Sequence, residues 1–108
     1  MINLKNRACI VGIGETRYVR KPGSGMSQLA LQLQAAKKAV EDAGLSLKQI
    51  DGLLPFPNLG HAEELAANLG IENLRFAATV NTGGAAPVAS LRIAAMAVCT
   101  GAADAVLI

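Results

Sequence analysis

The sequence predicts an α/β fold, a parallel sheet with helices on both faces in the order β-α-β-α-β-α-β. Three observations predict it. Strand-like apolar runs alternate with helix-like segments, the pattern of crossover connections. The runs are almost continuously apolar, as strands covered on both faces must be. Each helix-like segment also stops at a glycine, Gly44, Gly70 or Gly101, where a left-handed residue closes the last turn. With 108 residues, 52% of them hydrophobic and only 3% aromatic, the chain suffices for one small domain whose core is Ala, Leu, Val and Ile.

Residues 7–13 (RACIVGI) read as a buried first strand, with Gly12 and Gly14 forming a tight turn at its end. A polar loop follows over 15–25, broken by Pro22, Gly23 and Gly25. Ser27 suits an N-cap, and Met26 with Leu31 suits a hydrophobic staple. Leu29, Leu33, Ala36, Val40 and Ala43 recur at helical spacing, with Lys37, Lys38, Glu41 and Asp42 toward solvent. One helical turn is expected over 46–49. A second strand over 50–56 (IDGLLPF) is broken by Pro55 and Pro57, and a second helix spans 61–69 with Glu63 and Glu64 near its start.

The third strand, 74–80 (LRFAATV), stops at the turn-formers Asn81, Thr82, Gly83 and Gly84. Pro87 fits the first turn of the next helix, where its missing N–H costs little. In that helix Val88, Leu91, Ala95 and Val98 share a face, while Ile93, Ala94, Met96 and Ala97 fill the others. A helix apolar on every side is expected to be buried all round. A fourth strand occupies 104–108. Because it stops at Ile108 in mid-strand, the chain is expected to be the first part of a larger domain, truncated after the fourth strand, or a subunit buried in an assembly.

Charge and cysteine content exclude several classes. A net charge of +2 is too small for a nucleic-acid partner, and Arg17, Arg20 and Lys21 read as a solvated loop without interleaved aromatics. Cys9 and Cys99 make no disulfide framework and are expected as small reduced core residues of a cytoplasmic protein. The apolar stretch 85–108 is not a membrane span, because Arg92, Gly101 and Asp104 interrupt it.

Few residues are suited to chemistry. Gly12-Ile13-Gly14 lacks the third glycine of a dinucleotide fingerprint, since Arg17 stands at that position. His61 is the only histidine, and no other His or Cys has metal-ligand spacing. The elbow 81–84 remains. It aims the N-terminus of an apolar helix at a space above the sheet, a setting for an anion or a developing oxyanion. Asn81 adds an amide that donates and accepts, and Gly84 is expected to need φ > 0.

Three stretches carry a family likeness. Residues 7–18 (RACIVGIGETRY), residues 27–54 with Ala43-Gly44 and Ile50-Asp51-Gly52, and residues 80–108 from the elbow onward resemble, in order, the start of the thiolase superfamily. The group in question is that of sterol-carrier-protein thiolases and lipid-transfer aldolases, and only 57–69 matches it weakly. The resemblance implies strand order 3-2-1-4, a homodimer pairing across the 74–80 strand, and in several such systems an OB-fold and zinc-ribbon partner. It places the thiolase nucleophilic cysteine at Gly84, so covalent acyl transfer through that position is excluded. It places the family's catalytic His and coenzyme A loops beyond Ile108, so no catalytic residue is assigned here.

What the resemblance implies is a thiolase-like protein acting on acyl-CoA thioesters without a Cys nucleophile. The expected reaction is aldol or retro-aldol cleavage of a carbon–carbon bond in a lipid or steroid side chain. Asn81, Thr82, Gly83 and Gly84 would line the substrate site, with coenzyme A as part of the substrate and no resident cofactor or metal. By itself the chain is expected to be inactive. The alternative is a non-catalytic subunit that binds acyl groups or holds the OB-fold partner; degraded thiolase activity is disfavoured by Gly84.

Overall fold

Three short parallel strands form one sheet in the order β2-β1-β3. They are β1 (Gly52–Leu53), β2 (Phe76–Ala77) and β3 (Val106–Leu107), with Gly52 opposite Phe76 on one side and Val106 on the other. The computed structural model describes residues 3–20, 22–57 and 61–108. Three helices complete the fold, α1 (Gln28–Asp42), α2 (Ala62–Leu69) and α3 (Ala86–Cys99).

Local sequence explains the helix ends. The Ser27 hydroxyl accepts from Ala30 N at 3.0 Å and caps α1. Gly44 and Gly70, at φ 71° and 74°, end α1 and α2 in the left-handed conformation. Between α1 and β1, Leu47–Gln49 forms one 3₁₀ turn, closed by the Gln49 side chain on Ser46 N at 2.8 Å.

The sheet has helices on both faces. On the Leu53 side, α1 and α2 enclose a core of Val40, Ile50, Leu53, Leu65, Ala66, Leu69 and Ile71, with Leu29, Leu33 and Ala36 packed against it. Side chains alternate along a strand, so Leu54, equally buried, belongs to the opposite side. There α3 turns a stripe of small residues inward: Ala86, Ser90, Ala94 and Ala97 are its buried positions.

Several sequence expectations are corrected. Residues 7–13 form no strand. Both edges of β1 are taken, by β2 and β3, so the place beside β1 where the first segment was expected is filled. The fourth expected strand pairs directly with the second, and the order 3-2-1-4 fails on that account. Ile10 and Ile13 are 68% and 74% exposed, and Cys9 is exposed rather than core.

Gly12 and Gly14 are not a strand-end turn either. A Cβ on Gly12 would meet Ala39 O and Ala43, and one on Gly14 would meet Ala35 O and Ala39 N. Their lack of side chain lets the segment lie directly on the α1 backbone, where Ile13 N donates to Asp42 Oδ2 at 2.9 Å. Nor is α3 buried all round. One sheet covers one face, and on the other Val88 is 71% exposed with Leu91 and Met96 also exposed. Cys99 is half-buried.

Candidate functional site

The elbow follows β2 and so stands at the carboxyl ends of the parallel strands, the end where open α/β sheets place their ligands. Residues 74–80 alternate in exposure, with Leu74, Phe76, Ala78 and Val80 half-buried and Arg75, Ala77 and Thr79 exposed. Gly83–Ala85 then make a 3₁₀ turn into α3. Asn81, Thr82, Gly83 and Gly84 are all exposed, so the elbow opens to solvent.

The left-handed residue is Gly83, at φ 63°, and not Gly84. A Cβ on Gly84 would meet no atom within 4 Å. A side chain thus fits at the position where the resemblance places the thiolase cysteine, and crowding is not what excludes one. It follows that Gly84→Ala leaves the thermal midpoint within about 2 °C of the parent, whereas Gly83→Ala destabilises the elbow by about 1 kcal/mol. Equal midpoints for the two variants in a melting experiment would contradict this assignment.

The start of α3 offers fewer free donors than a full helix N-terminus. Ala86 N–H is used by Gly83 O, Pro87 has none, and no side chain caps the end. Ala85 and Val88 are the remaining first-turn N–H groups that could face an anion. His61, the only histidine, sits at the N-cap of α2 without a capping bond, exposed. Among the described residues no group of three or more His, Cys, Asp or Glu is placed to hold a metal ion. No described helix is long and apolar enough to cross a membrane. Lys21, the third member of the basic loop, lies outside the described residues, as do 58–60 within the weakly matched stretch.

At the opposite end of the sheet lies a charged cluster that the reading of the sequence missed. The buried carboxylate of Asp51 accepts from Asp104 N at 2.9 and 3.0 Å, from Ala105 N at 2.9 Å and from Arg75 Nη1 at 3.2 Å. Arg75 also donates to Gly101 O at 2.8 Å and lies 3.6 Å from the Asp104 carboxylate. Burial pushes the Asp51 carboxyl up, but the Ala105 and Asp104 N–H groups and the Arg75 guanidinium outweigh it and hold it below its ordinary value. The signal was present: Asp51, Arg75 and Asp104 each precede an apolar strand. This cluster ties the three strand starts together.

Over 105 residues the chain is 42% identical to the 17-hydroxy-3-oxo-4-pregnene-20-carboxyl-CoA lyase of Mycobacterium tuberculosis, covering 96% of this chain and 27% of that protein. It is 40% identical to the steroid side-chain-cleaving aldolase of Thermomonospora curvata, covering 96% and 26%. The solved Ltp2-ChsH2(DUF35) aldolase superposes with a TM-score of 0.80 at 40% identity, over 87% of this chain and 24% of that one. The chain has a thiolase-like fold. OleA of Xanthomonas campestris shares the fold, with a TM-score of 0.64 at 23% identity over 74% of this chain and 25% of that one. No family model matches. This thiolase-like chain spans about a quarter of the length of the curated relatives it matches.

Proposed function

We propose that this thiolase-like chain supplies the elbow of an acyl-CoA lyase that cleaves a lipid or steroid side chain by a retro-aldol reaction. The observation that carries the reading is Gly84, where a thiolase would carry its thiol, in a chain about 40% identical to proteins named as an aldolase and a lyase. Retro-aldol cleavage needs no acyl-enzyme. A base takes the proton of the β-hydroxyl, the Cα–Cβ bond breaks, and its electron pair passes into the thioester as an enolate. Protonation then gives a shorter acyl-CoA beside a ketone. Asn81 and the Ala85 and Val88 N–H groups are the donors this chain offers to the enolate oxygen. The base is left to residues outside this chain.

The name of the solved relative joins Ltp2 to ChsH2(DUF35), which supports a partner protein here; an OB-fold and zinc-ribbon partner is what the family resemblance implies. The open outer edge of β2 supports a homodimer paired along residues 74–80. A reduced cytoplasmic setting suits the free thiols.

The experiment is steady-state turnover of β-hydroxyacyl-CoA by the full-length protein with Gly84→Val. Gly84 has open space and no left-handed φ, so the variant folds and changes only the room above the elbow. Its kcat/KM is expected to fall on the order of 10²-fold. Undiminished turnover would remove the elbow from the site. The exposed elbow and its thinned donors favour one second reading, a non-catalytic acyl-binding subunit. Binding of acyl-CoA without any turnover by the complete assembly would select it.

A further inference from the structure

The chain has three aromatic residues, two Phe and one Tyr, and one of them stands beside the elbow. Phe56 follows β1, the strand next to the one that leads into the elbow, and it is 43% exposed. The parallel pair Leu53–Ala77, continued three residues along each chain, brings Phe56 level with Val80, just before Asn81. The ladder holds its register at that end, where Ala78 N donates to Leu53 O at 3.1 Å.

The prolines on either side give Phe56 its direction. A residue before proline is held extended, so Leu54 and Phe56 both prolong the strand and side chains keep alternating between its faces. Pro55 and Pro57 fall on the Leu53 side, and both are buried. Leu54 is buried on the α3 side. Phe56 shares that side two residues farther on, about 7 Å along the strand. There the helical cover ends and the exposed elbow turns into α3. Two buried proline rings thus hold out a large apolar side chain on the face where the elbow opens. Small-molecule sites combine apolar walls with a few placed polar groups. Here Phe56 and half-buried Val80 adjoin exposed Asn81 and Thr82. At Gly84 the space is open, since a Cβ there would meet no atom within 4 Å.

We infer that Phe56 is the specificity wall of the substrate site above the elbow, taking the apolar part of the acyl group and favouring a flat fused-ring body over a short straight chain. An aromatic ring offers a broad apolar face, and its two proline neighbours fix that face before the ligand arrives. The choice of an acyl thioester rests on the proposed function; the aromatic wall beside the elbow does not.

The test is steady-state turnover by the full-length protein of two β-hydroxyacyl-CoA substrates, one with a fused-ring and one with a short straight-chain acyl group. Phe56→Ala is expected to raise KM for the fused-ring substrate about tenfold or more, with kcat and the short-chain KM within about twofold of the parent. Phe56→Tyr keeps the ring and should restore the fused-ring KM. If Phe56→Ala lowers the thermal midpoint, Phe56→Leu replaces it and should raise the same KM in the same selective way. Equal changes for the two substrates, or none, remove Phe56 from the site while leaving the lyase reading in place. Loss of the parent's oligomeric state in light scattering also overturns the inference, because Phe56 would then belong to a protein interface. A protein that turns over neither substrate removes the lyase reading, and calorimetric titration with the two thioesters then decides the wall by itself. Binding of the fused-ring thioester alone weakened about tenfold by Phe56→Ala keeps it, and equal affinities in parent and variant remove it.

Discussion

Replacing Asp51 with Ala lowers the unfolding free energy of the chain by about 2–3 kcal/mol. The loss is large because the carboxylate is buried and fully engaged. It holds two backbone N–H groups at the start of β3 and the guanidinium of Arg75, which leads into β2. Removing it leaves the partly buried N–H groups of Asp104 and Ala105 without an acceptor, and an unmet buried donor costs about 1–3 kcal/mol. Asp51→Asn is expected to fall between the two, because an amide puts one donor face against groups that are all donors. Urea unfolding measures it: a midpoint for Asp51→Ala equal to the parent's would show that the strand starts hold without the carboxylate.

The acid limb follows from the same site. The folded pKa of Asp51 is lowered, so its contribution is fully present above the unfolded value of about 3.9. It is lost as pH falls through the lower, folded value. Stability of the parent should therefore decline below about pH 4, and Asp51→Ala should flatten that decline. A parent and variant with parallel acid limbs would assign the acid lability to other carboxylates.

What the sequence discloses about this fold divides along a physical line. Features set by near neighbours were legible, since Ser27, Gly44 and Gly70 act within one helical turn of themselves. The α/β class was legible too, because apolar runs and helical spacing report burial. Pairing was not. Residues 7–13 are as apolar as any strand here, but apolarity does not say whether a ladder partner exists, and β1 has none to spare. The Asp51 cluster joins residues far apart in sequence, so only the repeated charge ahead of each strand hinted at it. At the elbow two adjacent glycines looked alike. The backbone distinguishes them, giving Gly83 the left-handed turn and leaving Gly84 with room for a side chain. The stripe Ala86, Ser90, Ala94 and Ala97 was likewise hidden among larger apolar residues, because in contact with a sheet smallness counts for more than hydrophobicity.

Gly14→Val is expected to release the first segment from α1 without unfolding the rest. A side chain there would collide with the backbone of Ala35 and Ala39 and come within 2.9 Å of Lys38 C. Backbone in the middle of a helix does not yield, so the segment must move. The cost is bounded by what the segment contributes. Overpacking of a tight contact typically costs about 1–3 kcal/mol, but detaching residues 8–14 forfeits only the glycine contacts and the Ile13–Asp42 hydrogen bond. Ile10, Val11 and Ile13 are already exposed and lose little. Detachment is therefore cheaper than straining α1, and it wins. Hydrogen exchange should show Ile13 N–H protection lost while the amides of α1 and β1 keep theirs. Global loss of protection would show that the first segment, though outside the sheet, is part of what holds the sheet's helical cover in place.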